Sequence, residues 1–103
     1  MHVLIERQRE AIGELCRRHG VRRLEVFGSA ARAVDFDPER SDVDVLVEFE
    51  AGRGRPTLRR FFELRDDLSG VLGRAVDLVM AGSLINPFVR AEVERTREPV
   101  YAP

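Results

Sequence analysis

Three aspartates stand in two apolar, strand-like stretches of the sequence. Asp42 and Asp44 open the run DVDVLVEF, and Asp77 lies inside RAVDLVM. Side chains at positions i and i+2 of a strand point to the same face, so Asp42 and Asp44 are expected on the face opposite Val43 and Val45. Asp77 is likewise expected opposite the apolar side chains of its own strand. The pattern predicts one sheet face that is core and another that carries carboxylates.

Three ionised carboxylates gathered on one face predict a metal site. Without a cation, their mutual repulsion and desolvation would cost several kcal/mol. The candidate ligands are all oxygens, with no histidine or cysteine nearby, which suits a hard cation, Mg²⁺ or alternatively Mn²⁺, that keeps waters and takes further ligands from phosphates. Two such ions about 3.5–4 Å apart would polarise an attacking hydroxyl and neutralise a leaving pyrophosphate. We therefore predict Mg²⁺, as two ions, held by Asp42, Asp44 and Asp77 against a nucleoside triphosphate.

The pair Asp42 and Asp44 needs a reason to be preferred, because acidic residues recur at i, i+2 in this chain. Five such pairs occur, at 35/37, 37/39, 42/44, 48/50 and 92/94. Only the pair 42/44 opens a strand of β-branched residues that is otherwise expected to be buried. The other pairs are expected to be solvated surface residues.

A second element of chemistry is the dipeptide Gly28-Ser29, which ends an apolar run where a short helix can begin. A glycine permits close backbone approach, and a helix N-terminus offers N–H groups to phosphate oxygens. The alternative is an ordinary helix cap. For this turn to share a site with Asp42 and Asp44, the first strand must end where the second begins. That requires the two strands to be antiparallel neighbours.

The elements that position these residues alternate between helix and strand. Helices are predicted at 3–19, 30–34, 57–73 and from Asn86, with Gly20 and Gly73 as helix ends. Strands are predicted at 24–27, 42–49 and 74–80, with an edge strand near 99–102, while 35–40 and 51–56 read as loops. This order predicts an α/β domain, a small mixed sheet with helices packed on one face.

Length and composition limit the class of protein. With 103 residues the chain fits one domain, 1–103, and no stretch approaches the ~20 apolar residues of a membrane span. The net charge of −1 argues against a nucleic-acid surface, and the absence of lysine excludes a Walker-type phosphate loop. No export signal is evident, so we expect a cytoplasmic protein. Cys16, the single cysteine, is expected to pack on a helix.

Some side chains allow two interpretations. His2 and His19 are expected at the surface rather than in a site. Phe61, Phe62 and Phe88 are expected in the core rather than as a stacking platform. Two arginines that flank the proposed site, Arg32 and Arg40, could contact phosphates or could simply be solvated.

The segments GSAARA, SDVDVLVEF and RAVDLV together resemble the nucleotidyltransferase superfamily that includes DNA polymerase beta. Over its whole length the chain is similar to the minimal nucleotidyltransferases, which are bacterial and archaeal antitoxins. The resemblance implies the nucleotidyltransferase fold, with Gly28-Ser29 binding the triphosphate, Asp42 and Asp44 as metal ligands, and Asp77 as the third carboxylate and a candidate general base. This sequence differs from the family pattern in two places. The twelve residues between Ser29 and Asp42 are more than is usual, and Ala33 replaces a common glycine.

The resemblance also implies a partner. Family members of this size transfer AMP from ATP to a tyrosine of a toxin with a HEPN (higher eukaryotes and prokaryotes nucleotide-binding) domain, and so neutralise it. A single small domain has no room for an acceptor-binding domain, which fits an acceptor presented by another protein. Two alternatives remain open. One is a non-catalytic antitoxin that neutralises the toxin by occlusion, and the other is nucleotide transfer to RNA or a small molecule.

Overall fold

The computed structural model describes residues 1–32, 42–53 and 57–102, with the side chains of Arg32 and Arg53 left out. Its helices are α1 Val3–Arg7, α2 Arg9–His19, α3 Ser29–Arg32, α4 Leu58–Leu72 and α5 Pro87–Thr96. Its strands are β1 Val21–Phe27, β2 Val43–Phe49, β3 Val76–Met80 and β4 Glu98–Tyr101. Short 3₁₀ turns follow β2 and β3, at Ala51–Arg53 and Ala81–Ser83. Within the described ranges, no helix has the length and apolar character needed to cross a membrane.

The four strands form one mixed sheet in the order β3-β2-β1-β4. Strand β1 runs antiparallel to both β2 and β4, whereas β2 and β3 are parallel. Phe27, the last residue of β1, is paired with Asp44 near the start of β2. The predicted antiparallel arrangement of the first two strands is confirmed, and it brings the Gly28-Ser29 turn next to the aspartate strand.

The main core lies between one face of the sheet and helices α2 and α4. Both helices present apolar residues at helical spacing to this face, and the alternate residues of the strands meet them. Its most deeply buried large side chains are Ile5, Ile12, Leu24, Leu64, Leu68, Val21, Val26, Val43, Val45 and Val47. The apolar face predicted for the second strand is therefore confirmed.

The opposite face of the sheet is only partly open, because α5 covers some of it. Phe27, Leu46 and Val93 form a second small buried cluster between this helix and the sheet. Leu46 lies on the same sheet face as Asp44. This face was expected to carry carboxylates rather than core residues, but Leu46 is buried there. The mixed sheet with helices is confirmed, but the prediction that the helices pack on one face is wrong for α5, which covers part of the second face.

Glycine and polar caps set the helix ends where the sequence placed them. Gly20 and Gly73 end α2 and α4 in the left-handed conformation. Thr57 accepts a hydrogen bond from the Arg60 amide at the start of α4. Asn86 caps α5 immediately before Pro87. The helices at 57–73 and from Asn86 are thus confirmed, whereas the predicted 3–19 helix is divided at Gln8.

Three predictions about single side chains are wrong. His19 is buried rather than at the surface, with its Nε2 2.8 Å from Oδ2 of Asp67. Phe88 is 85% exposed and Phe62 is exposed too, so neither belongs to the core. Cys16, as predicted, is fully buried on α2, and burial raises the pKa of its thiol to about 12. The predicted loop at 35–40 lies outside the described residues.

Candidate active site

Asp44 and Asp77 occupy matching positions on the adjacent parallel strands β2 and β3. Both line a pocket of about 550 Å³, which lies on the sheet face that α5 covers only in part. Phe27 and Val79 also line it. The strand pattern therefore brings two of the three predicted carboxylates to one cavity.

Gly28 lies directly against the Asp44 carboxylate. Its φ of +67° is in the left-handed region, which residues with a Cβ rarely adopt. A Cβ at this position would be only 2.7 Å from Oδ2 of Asp44, closer than real Cβ atoms approach an oxygen. Glycine is required here both by the turn and by the neighbouring carboxylate.

The Gly28 amide has a partner within the protein. Its N–H donates to the hydroxyl of Thr96, the last residue of α5, at 2.8 Å. The Gly28 carbonyl accepts a hydrogen bond from the Ala31 amide. Any backbone N–H offered to a phosphate at this turn must therefore come from residues after Gly28.

The other predicted site residues are placed less closely around the pocket. Ser29 is half-buried at the start of α3, and Arg32 ends that helix. Asp42 is exposed and immediately precedes β2, two residues before Asp44. It is not among the described residues that line the pocket. Ala33 and Arg40 lie outside the described residues.

An apolar wall completes the pocket, and the sequence did not predict it. It comes from the connection between β3 and α5 and from the first turns of α5, and it consists of Leu84, Ile85, Phe88 and Val89. Ile85 is 90% exposed. Large apolar side chains this open next to two carboxylates suit contact with a second molecule better than packing. They lie in the connection after a strand and in the first turn of a helix, so neither strand nor helix periodicity marked them as one surface.

A second unpredicted feature is an ion pair that fixes the end of α5 on β1. Arg97 donates to both carboxylate oxygens of Glu25, from Nε at 3.0 Å and from Nη2 at 2.6 Å. Glu25 is buried, and these bonds from Arg97 hold the pKa of its carboxyl below the ordinary value. The same pair raises the pKa of Arg97. Nothing in the local pattern around Glu25 indicates a partner 72 residues away.

The donor set of this pocket fits a hard divalent cation. Asp44 and Asp77 supply carboxylate oxygens from neighbouring strands, and Asp42 lies on the same strand face as Asp44. Within 1–32, 42–53 and 57–102, no group of three histidine, cysteine or acidic side chains is close enough to enclose a metal. Mg²⁺ is commonly bound by one or two carboxylates, with phosphates and waters completing its shell. Two converging carboxylates are consistent with such an open site.

Comparison with known proteins identifies the family. Residues 8–99 match the nucleotidyltransferase domain. The protein adenylyltransferase MntA of Thermococcus cleftensis is 44% identical over 88 residues, which are 85% of this chain and 81% of that protein. A solved structure of a minimal nucleotidyltransferase superposes with a TM-score of 0.75 at 42% identity, over 96% of both chains.

The fold also occurs in a more distant structure. A chain in the complex of a tri-AMPylated HEPN toxin from Shewanella oneidensis with its MNT antitoxin matches with a TM-score of 0.67 at 19% identity. The match covers 96% of this chain and 73% of that one. Family match, sequence identity and fold agree, and the chain belongs to the nucleotidyltransferase domain family.

Proposed function

We propose that this chain is a Mg²⁺-dependent protein adenylyltransferase and an antitoxin. It would transfer AMP from ATP to a tyrosine hydroxyl of a partner HEPN toxin and so neutralise that toxin. The observation that carries the proposal is the pairing of Asp44 with Asp77 in one pocket, with Gly28 against the Asp44 carboxylate.

Each residue of the site has a role in this reaction. Asp44 and Asp77, with Asp42 from the start of the same strand, would hold Mg²⁺, and the Gly28-Ser29 turn, with Arg32 at the end of α3, would bind the triphosphate. Mg²⁺ supplies charge neutralisation for the phosphates and activation of the attacking oxygen. The acceptor oxygen forms a bond to the α-phosphorus, the bond to pyrophosphate breaks, and Asp77 takes the hydroxyl proton.

The acceptor is proposed to be a separate protein. The chain is proposed to form one domain, 1–103, that carries the nucleotide half of the site. The pocket opens between the carboxylates and the exposed wall at Ile85 and Phe88, where a polypeptide could present a side chain. Two comparisons support a protein acceptor of the HEPN class. The relative MntA is named a protein adenylyltransferase, and a chain with this fold occurs in a complex with a HEPN toxin. Such a pair would act in the cytoplasm.

The test is AMP transfer to the product of the adjacent gene, which the proposal expects to be a HEPN toxin. The two purified proteins are incubated with α-labelled ATP and Mg²⁺, and label on the toxin is followed on a denaturing gel and mapped by mass spectrometry. We expect labelled tyrosine with the wild type and none after addition of EDTA. Asp44→Asn and Asp77→Asn should each reduce labelling at least 100-fold, since each removes a ligand charge.

A matched control separates charge loss from site loss. Asp66→Asn makes the same change on α4, where Asp66 is exposed and pairs with its neighbour Arg65, and should leave labelling unchanged. Toxin neutralisation is scored in parallel by bacterial growth. If the Asp44→Asn/Asp77→Asn double variant rescues growth as well as the wild type, the chain acts by occlusion and the enzymatic proposal fails.

A further inference from the structure

We infer that Thr96 is a positioning residue for the nucleotide site, because its hydroxyl fixes the Gly28 turn against the Asp44 carboxylate. The inference rests on the proposed function, since it takes that turn and that carboxylate to be the nucleotide site. Thr96 itself lies at the C-terminal end of α5 and does not line the pocket. Its effect would pass through Gly28.

The Thr96 hydroxyl makes two hydrogen bonds with different roles. It accepts the Gly28 N–H at 2.8 Å and donates to the carbonyl of Glu92 at 2.7 Å. The bond to the carbonyl four residues earlier is common for threonine in helices. The bond to Gly28 is not local, because it spans 68 residues and joins α5 to the end of β1. One hydroxyl proton and its lone pairs suffice for both bonds.

The position of Thr96 is itself fixed from three directions. The next residue, Arg97, holds the Glu25 carboxylate of β1 with two hydrogen bonds, and its amide bonds to the Val93 carbonyl at 2.7 Å. One residue further on, Glu98 begins β4 and is paired with Val26 of β1. These contacts restrain Thr96 in the folded protein, so its hydroxyl holds the Gly28 turn in place.

The anchor matters because Gly28 has no side chain of its own to hold it. The turn is left-handed and already in close contact with Oδ2 of Asp44. Without the Thr96 hydroxyl, the buried Gly28 N–H would lack a partner, and the turn would shift to reach water. Such a shift moves both the wall beside Asp44 and Ser29, which follows directly. We expect the affinity for nucleotide to fall about tenfold, equivalent to ~1.4 kcal/mol.

The experiment compares three single variants of the full chain. Thr96→Val removes the hydroxyl at nearly constant shape, and Thr96→Ser restores it. The control is Thr57→Val, which removes a threonine hydroxyl that also accepts a backbone amide, from Arg60 at 3.1 Å, but at the N-cap of α4, and Thr57 is not among the described residues that line the carboxylate pocket. Binding of the non-hydrolysable analogue AMP-PNP with Mg²⁺ is measured by titration calorimetry. Exchange of the Gly28 amide proton is followed by NMR, and thermal unfolding confirms that each variant is folded.

The expected result is a tenfold larger dissociation constant for AMP-PNP in Thr96→Val. The dissociation constant of Thr96→Ser should be within about twofold of the wild-type value, and that of Thr57→Val should be unchanged. Gly28 amide exchange should accelerate only in Thr96→Val. If the wild type binds AMP-PNP and Thr96→Val binds equally well, or if Gly28 exchange is unchanged, the positioning role is refuted while the proposed function stands. If the wild type itself does not bind AMP-PNP with Mg²⁺, both proposals fail.

Discussion

Replacing Gly28 by alanine separates two demands that the site makes on one residue. The first is conformational, because φ is +67° and an alanine there costs about 1–2 kcal/mol, partly offset by ~0.5 kcal/mol of lost unfolded-state freedom. The second is steric, because the new Cβ would be 2.7 Å from Oδ2 of Asp44. To reach ordinary contact at 3.4 Å, the carboxylate oxygen has to move by roughly 0.7 Å.

The structure offers a control position where only the left-handed φ requires glycine. Gly73 has φ of +68°, and a Cβ there meets no atom within 4 Å. Gly73→Ala should therefore lower the free energy of unfolding by about 1 kcal/mol, a fall of ~5 °C in Tm, and Gly28→Ala should lower it by more, because the contact with Asp44 adds to the conformational cost. Only Gly28→Ala should also weaken AMP-PNP binding and slow AMP transfer, by about 10- to 100-fold, since a ligand displaced by nearly 1 Å is costly in an active site.

Calorimetric titration with AMP-PNP and Mg²⁺, labelling of the toxin, and thermal unfolding measure these effects on the same preparations. Wild-type nucleotide affinity and transfer rate in Gly28→Ala would refute the idea that the turn and the Asp44 carboxylate form one site. Loss of function in Gly73→Ala as well would refute it too, since the effect would then follow stability alone.

Three further predictions follow from single side chains. Arg97→Met leaves buried Glu25 without its cation and should lower the free energy of unfolding at pH 7 by about 3 kcal/mol. Because Arg97 lowers the pKa of Glu25, wild-type stability should fall as pH drops below the ordinary carboxyl pKa, and urea unfolding at pH 3–7 should show less of this loss in the variant. Cys16, with its pKa near 12, should not react with a thiol reagent at pH 8 until the protein unfolds. Phe88→Ala should change stability by less than about 0.5 kcal/mol yet slow AMP transfer, whereas a large loss of stability would support a core role.

The parts of the fold that depend on short-range patterns could be predicted from the sequence. The alternation around Val43 and Val45 gave the buried face of β2, and capping residues such as Thr57 and Asn86 gave the starts of α4 and α5. The requirement that Gly28 and Asp44 share a site gave the antiparallel order of β1 and β2. In each case a local periodicity or a single geometric condition carried the information.

What could not be predicted depends on contacts between distant parts of the chain. Phe88 was expected in the core rather than as a stacking platform, but α5 uses Val93 for its contact with the sheet. His19 was expected at the surface, but it is buried and Asp67 on α4 provides a partner. The roles of Thr96 and Arg97 depend on their contacts with residues in β1 and directly after it, which are far away in the sequence. No local sequence pattern indicates these contacts.

Helix α5 links these features, because one end forms the wall of the pocket and the other holds Gly28. Val93 is its one buried residue, whereas α2 and α4 each bury three or more. The Asn86 cap, the Thr96 bonds and the Arg97 pair therefore carry much of its stability. Segments with few buried apolar contacts open at lower free energy than the core.

We expect the amides of α5 to exchange with solvent faster than those of α2 and α4 in the free protein. Because α5 borders the proposed nucleotide site at both ends, AMP-PNP with Mg²⁺ should slow this exchange while leaving α2 nearly unchanged. Hydrogen exchange read by mass spectrometry with and without the analogue measures both effects. Equal protection of α5 and α4 in the free protein would contradict this expectation. It would show that Val93 and the contacts at the two ends of α5 make this helix as stable as α4. The pocket would then be preformed, with no coupling between nucleotide binding and the order of its wall.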